Sequence, residues 1–533
     1  MNPETLLLLG LGAVAIVVAA RWFGTRTGLP AAALLTVLGI LYALLPGPNV
    51  ALDPHVVLTF VLPPLLYSAA LDSSLLAIRA NLRIVIGLSV LLVFATALLV
   101  GAGFALFVAG ATFAAGVAVG AAVAPPDPVA ALAVGRKVGL PPRLITIIQG
   151  EGLLNDATAL TLLNVAVAAA VGGHFSEAKA GALFLLVAAG GAAVGVAVAF
   201  AVRLLRPLAR DPLPANAISL ATPFIAYLAG ERLHVSGVLA VVVAGLIVGH
   251  DTPRSGTGAS RLQTTAVWRL VDFLLEGFVF LLIGQQLPAV IRGLKRYDTS
   301  TIVIAVGISI GVALLLRPVW LALTQAAHLL LRREDEGLNA REIAVLSWAG
   351  TRGVISLAAV FTLPLTTASG APFPDRDLLL FCTFTVVLVT LVGQGLTFAP
   401  LVRALGLRAN EVDEALLRNE ARIASVHAAL DRLEELEQDE PADTAAVESL
   451  RTRMQERLRR YEHRLDMLQS AESDEVPVSE RYEAALRIRR LAIEAQREEL
   501  LRWRDAGTLP DEGLRRLERE LDHEERVLPE RPE

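Results

Sequence analysis

Ala124-Pro125-Pro126-Asp127-Pro128 interrupts a long apolar stretch, 111–134. Prolines remove amide donors and break the i to i−4 ladder, so a helix through 111–134 must come apart at Asp127. The stretch is nonetheless long enough to cross a bilayer core of about 30 Å, which takes about 20 helical residues. Broken backbone is tolerated at that depth only where protein buries it or where it lines a cavity. A second, milder interruption, Ala349-Gly350-Thr351-Arg352-Gly353, lies inside the apolar stretch 342–364.

Working outward from these breaks gives 13 apolar runs, near 4–21, 29–46, 55–72, 84–107, 111–134, 144–172, 179–203, 214–231, 235–250, 269–288, 301–330, 342–364 and 377–400. The narrowest division is Glu231-Arg232-Leu233-His234, between the eighth and ninth. The breaks fall in the fifth and twelfth runs. Seven apart, these run in opposite directions, so the chain parses as six spans, a linker and six inverted spans. Interrupted helices at corresponding places of inverted halves point to a transporter's binding site.

Composition agrees. Of 533 residues, 54% are hydrophobic and 19% charged, against about 25% charged in an ordinary soluble chain. The mean hydropathy is +0.58. Residues 1–400 hold 24 Lys/Arg and 19 Asp/Glu, net +5, and residues 401–533 hold 23 Arg and 33 Asp/Glu, net −10. A membrane domain over 1–400 is therefore followed by a soluble helical domain over 401–533. The lone cysteine, Cys382, has no partner for an internal disulfide. Residues 5–20 lack a basic leading region and read as a retained span.

Loops after odd-numbered runs carry 15 basic residues and loops after even-numbered runs carry 6. Excess Lys and Arg mark the cytoplasmic side, so the N-terminus is expected outside and the charged tail in the cytoplasm of a bacterial cell.

Charges inside the apolar runs carry the functional reading, because a charge at the bilayer centre costs at least ~2.5–3.5 kcal/mol and usually pairs or faces a wet cavity. They are Asp127, Glu151, Asp156, Glu276, Arg317 and Arg352, with Asp272 and Arg269 nearer an edge. Gly150-Glu151-Gly152-Leu153-Leu154-Asn155-Asp156 offers two carboxylates and an amide with no His or Cys nearby. Oxygen ligands suit a hard monovalent cation rather than zinc. A carboxylic acid shielded from water holds its proton more readily than one in solution. One group that takes either a proton or a cation is the minimum equipment for exchange, and on residue chemistry alone Glu151 and Asp156 both qualify. Arg317 and Glu276 read equally well as a structural pairing or as part of the path.

With these residues in place, the chain resembles the monovalent cation/proton antiporter family of NhaP-type and animal NHE-type sodium/proton exchangers. The matching pieces are Leu62-Pro63-Pro64-Leu65-Leu66, Asp127-Pro128-Val129, Gly150-Glu151 with Leu153-Leu154-Asn155-Asp156, and Thr351-Arg352-Gly353-Val354-Ile355-Ser356. The resemblance covers about residues 1–400. It implies an all-α polytopic membrane protein with two inverted six-helix repeats and crossed unwound helices. Asp156 would bind sodium or a proton in turn, and Asn155 would mark the electroneutral branch. Asp127 would shape the site and orient Asn155, Glu151 would pair with Arg352 as a structural bridge, and Thr351 and Ser68 would stand nearby. Ser68 occupies a position where certain archaeal relatives carry a carboxylate. Pro126 stands where a Thr often precedes the Asp, and Gly152 where a Ser often follows the Glu, so sodium, lithium and potassium are not told apart. The implied mechanism is alternating access in a homodimer embedded in lipid, with no cofactor and no nucleic-acid partner.

The tail shows helical periodicity with Leu416, Ile423, Val426, Leu430 and Leu433, then Val447, Leu450, Met454, Tyr461 and Leu468, at heptad a and d positions. Prolines 441, 477 and 510 divide it into about four helices, read as a bundle, a pairing surface or a regulatory domain. A cation channel would need an open pore rather than one carboxylate. An intramembrane hydrolase would need Gly-x-Gly-Asp aspartates, a Ser-His pair or a His-Glu-x-x-His run, and the sequence contains none of them.

Overall fold

The computed structural model describes residues 3–45, 54–171, 177–206, 211–254, 257–330, 337–367, 370–439, 444–470, 480–526 and 528. Helix dominates throughout. Among the described residues the β pairing is confined to an isolated bridge between Thr366 and Pro372. The chain divides into two compact units, Met1–Arg408 and Ala409–Glu533.

In the first unit, eight helices among the described residues are long and apolar enough to cross a membrane, from Leu7–Thr27 to Arg376–Leu405, and Ala31–Leu44, Val57–Leu71 and Phe113–Val123 are shorter apolar helices. All the apolar runs marked in the sequence overlap helical backbone. At the narrowest division Pro212–Arg232 stops, His234 takes a left-handed φ of 56°, and the Ser236 side chain caps Gly237–Asp251. The last helix ends at Leu405 rather than near 400. Many outward-facing side chains are large and apolar, Leu7, Leu106, Phe107, Leu185, Phe200 and Leu315 among them. Lipid contact accounts for that surface, because hydrocarbon is no less favourable to leucine than a protein core is.

Association inside a membrane therefore leans on close packing of small residues. Gly258–Gly293 lies against Ala31–Leu44 with Gly284 over Gly39, so a Cβ on Gly284 would strike the Thr36 carbonyl oxygen and one on Gly39 the Leu281 carbonyl oxygen. Val17 of Pro3–Thr27 closes over Gly277 of the same long helix. Elsewhere Phe113–Val123, Leu92–Phe107, Val354–Phe361 and Arg376–Val389 share one apolar core, and Leu62–Leu71, Pro212–Arg232 and Gly237–Asp251 share another.

Among the described residues the second unit contains four helices, in line with the division expected from the prolines. Glu411–Asp439 pairs with Thr444–Gln469, where Asn419 Nδ2 donates to the Tyr461 carbonyl at 2.7 Å and Arg451 bridges Glu437 and Glu448. Glu480–Asp505 pairs with Asp511–Arg526, tied by Arg497 to Asp522 at 2.6 Å and to Glu525 at 2.7 Å. Val426, Leu433, Val447 and Leu468 are buried as the heptad reading expects. Leu450 is not: it is 40% exposed, because a single partner helix covers only one side.

Gly284→Val should overpack this interface at a cost of about 1–3 kcal/mol. A thermal melt of the detergent-solubilised protein, followed by size exclusion, should show lost monodispersity at a lower temperature. Gly307→Val, where an added Cβ meets nothing within 4 Å, should leave the melt unchanged.

Candidate functional site

The first broken helix consists of Phe113–Val123 and Pro128–Lys137. The second consists of Ala340–Trp348 and Val354–Phe361. Their unwound segments meet. The Asp127 amide donates to the Thr351 carbonyl at 2.6 Å, and the Thr351 hydroxyl donates to the Asp127 carbonyl at 2.9 Å. Thr351 thus joins the two segments through both its backbone and its side chain.

Each break exposes two kinds of helix end, and the charged residues sort themselves accordingly. N-termini carry unsatisfied N–H groups and partial positive charge, and C-termini carry free carbonyls and partial negative charge. Asp127 Oδ1 accepts from the Val129 amide at 3.0 Å and so caps Pro128–Lys137. The same carboxylate lies against Gly353, the residue before Val354–Phe361, where any Cβ would collide with it. One acid therefore sits at two helix N-termini. At the opposite ends, Arg352 Nε donates to the Val123 carbonyl at 2.8 Å, and its terminal nitrogens donate to the carbonyls of Gly350 and, at 3.2 Å, Ala313. Arg317 Nε donates to the Leu346 carbonyl at 2.7 Å. The Arg352 amide finds the Thr390 hydroxyl at 3.0 Å, at the start of a widened π turn, Thr390–Gln394.

This arrangement corrects the expected bridge. Glu151 pairs with Arg317, not with Arg352: Arg317 grips it with both terminal nitrogens, one of them at 2.7 Å from Oε2, and both side chains are buried. Arg352 is instead committed to the Val123 and Gly350 carbonyls, which the breaks leave without amides, and to the Ala313 carbonyl inside Thr299–Leu330. The basic residue in the middle of Thr299–Leu330 was a visible signal, since a charge there needs an opposite charge; the sequence did not say which acid supplies it.

Glu151, Asn155 and Asp156 all lie on Pro142–Ala170 and are buried. Asn155 Nδ2 donates to the Pro126 carbonyl at 2.9 Å, so the unwound backbone orients Asn155, and the Asp127 carboxylate does not. That bond fixes the amide with Oδ1 pointing elsewhere, and Oδ1 is buried without a hydrogen-bond donor. Asp156, next in the chain, is 4% exposed, and among the described residues neither a cation nor a donor pairs with its carboxylate. The charged neighbour whose field reaches it is another acid, Asp127. A buried carboxylate and an unclaimed amide oxygen on consecutive residues of one helix are the ligand types that suit a small hard cation or a proton.

The remaining expected residues lie outside this cluster of bonds. Ser68, on Leu62–Leu71, donates to Asp272 of Gly258–Gly293. Glu276 lies one turn beyond Asp272 and makes no ion pair among the described residues. Asp272 was legible only as an edge charge, because nothing in sequence spacing brings positions 68 and 272 together.

Arg317→Met should strand the Glu151 charge and cost about 3–5 kcal/mol of stability. Adding Glu151→Gln should recover most of that loss in a thermal melt. The same double-mutant cycle run on Glu151 and Arg352 should return a much smaller coupling; the reverse ranking would contradict the observed pairing.

Residues 12–404 match the model of the transmembrane sodium/hydrogen exchanger family. The chain is 34% identical over 97% of its length to an uncharacterised sodium/proton exchanger of Mycobacterium tuberculosis, 96% of which is covered. It is 32% identical to a sodium, potassium, lithium and rubidium/proton antiporter of Bacillus subtilis, over 68% of this chain and 56% of that protein. The solved sodium/proton antiporter of Methanocaldococcus jannaschii superposes with a TM-score of 0.58 at 17% identity, over 75% of this chain and 99% of that one, and shares the fold. The chain is a multi-pass membrane protein that belongs to the sodium/hydrogen exchanger family, a family of antiporters rather than enzymes.

Proposed function

We propose that this protein exchanges Na+ (or Li+) for H+ across the cell membrane, one for one, with Asp156 as the group that carries either ion. The observation behind this reading is the buried Asp156 carboxylate without a cationic partner, beside the unclaimed Asn155 Oδ1. A single such carboxylate is neutralised equally by one proton or one monovalent cation, and Asn155 adds a ligand oxygen without adding charge. Exchange through it is then electroneutral and serves pH and sodium homeostasis.

The way the charges are tied supports alternating access as the mode of exchange. The broken helices, Pro142–Ala170 and Thr299–Leu330 are joined by the Asp127–Thr351, Asn155–Pro126, Arg352–Val123 and Glu151–Arg317 contacts. They move as one body without uncovering a paired charge. In the outward position Asp156 releases a proton and takes a cation, or the reverse inside. The bias of basic loops supports an outside N-terminus and a cytoplasmic tail, and the tail serves regulation or pairing in a homodimer held in lipid.

Potassium is the second reading for the cation, since the name of the Bacillus subtilis relative includes potassium and rubidium. A channel fits less well, because a buried carboxylate enclosed by side chains is not a continuous pore.

Asp156→Asn should abolish Na+- or Li+-triggered dequenching in acidified everted vesicles while the protein still inserts. Unchanged dequenching in that variant would sink the assignment. Running Na+, Li+ and K+ on the wild type decides the cation.

A further inference from the structure

Glu276 is an acid that the site above leaves unused. It sits on Gly258–Gly293, seven residues inside the apolar run 269–288, a depth of about 10 Å at the rise of an α-helix. A charge there is normally matched by a neighbouring charge or by a wet cavity. Among the described residues no hydrogen bond or ion pair reaches it. Arg21, whose guanidinium lies over the Phe273 ring at 5.0 Å, acts on Glu276 only through its field and makes no ion pair with it. One turn before Glu276, Asp272 accepts from the Ser68 hydroxyl with one oxygen, and its other oxygen, Oδ1, is buried with no donor.

These acids form a graded series. Asp272 feels Asp72, the residue that ends Leu62–Leu71, and Glu276 feels Asp127 and then Asp272, with Arg21 as the weaker opposing charge. Asp127 in turn acts on Asp156. The series leads from the end of the bundle that carries Arg21 and Arg26 toward the crossing. The helix that bears Asp272 and Glu276 is locked to Ala31–Leu44 and Pro3–Thr27 by the Gly39, Gly284 and Gly277 contacts. It stands outside the hydrogen-bonded body that carries Asp156.

We infer that Glu276, with Asp272 one turn before it, is a staging carboxylate that accepts the monovalent cation or proton passing between the arginine-bearing end of the bundle and Asp156. A carboxylate at that depth with no ion pair of its own is neutralised by whichever ion arrives, and the unclaimed Asp272 oxygen supplies a second ligand. Placed on the helix that does not move with Asp156, the pair concentrates cations on one side only. This inference rests on the exchange reading proposed above.

The test compares Glu276→Gln, Glu276→Asp and Asp272→Asn in everted and right-side-out vesicles, with wild type and Asp156→Asn alongside. Glu276→Gln should raise the half-saturating Na+ concentration about fivefold or more in everted vesicles, with the maximal rate within about twofold of wild type. Right-side-out vesicles should show no change, and Glu276→Asp should restore the wild-type value. Asp272→Asn should shift everted vesicles in the same direction and carries the test if Glu276→Gln does not assemble. Wild-type constants in both neutralised variants would overturn the inference. So would equal shifts from both sides, or a lower maximal rate and melting temperature that Glu276→Asp shares. Wild type that moves no protons, or an active Asp156→Asn, would overturn the exchange reading itself.

Discussion

Two helices broken at the same depth must have their loose backbone satisfied by protein, and this requirement organises the first unit. The bonds between Asp127 and Thr351 join the breaks to each other. Everything else nearby answers the helix ends this creates. An acid takes the amide ends, and two arginines take the carbonyl ends. Glu151 then neutralises one of those arginines. A peptide group left bare in hydrocarbon costs several kcal/mol, so these residues are as much a condition of folding as of transport.

What this leaves free is the functional statement. Asn155 spends its amide on the Pro126 carbonyl and keeps an oxygen. Asp156 spends nothing. The framework has arginines within the same body, yet commits them to carbonyls and to Glu151, so neither neutralises Asp156. On the exchange reading proposed for Asp156, a cationic partner there would lock the carboxylate in its charged form and keep both a proton and a cation out.

Much of this was legible in the sequence because it rests on local rules. Proline chemistry placed the first break, glycine and Arg352 marked the second, and hydrophobic run length gave the helices around them. Spacing placed Asn155 and Asp156 on one helix. Partner choice was not legible. The Glu151 bridge was expected to Arg352 and goes to Arg317, because carbonyl satisfaction, invisible in a list of charges, claims Arg352 first. The Ser68–Asp272 bond joins positions about 200 apart in the chain, and only packing of Gly258–Gly293 creates it. Similarly, burial of the tail heptads failed at Leu450, where the number of partner helices decides exposure.

The central claim is that one carboxylate, Asp156, trades a proton for a cation. Proton release on adding Na+ or Li+ to the purified, weakly buffered protein tests it most directly, without transport or membrane potential. The account predicts that release at cation saturation, where cation and proton compete for the same carboxylate, falls by about one proton per chain in Asp156→Asn. Release that persists undiminished in Asp156→Asn would place the exchange at another residue and contradict the account.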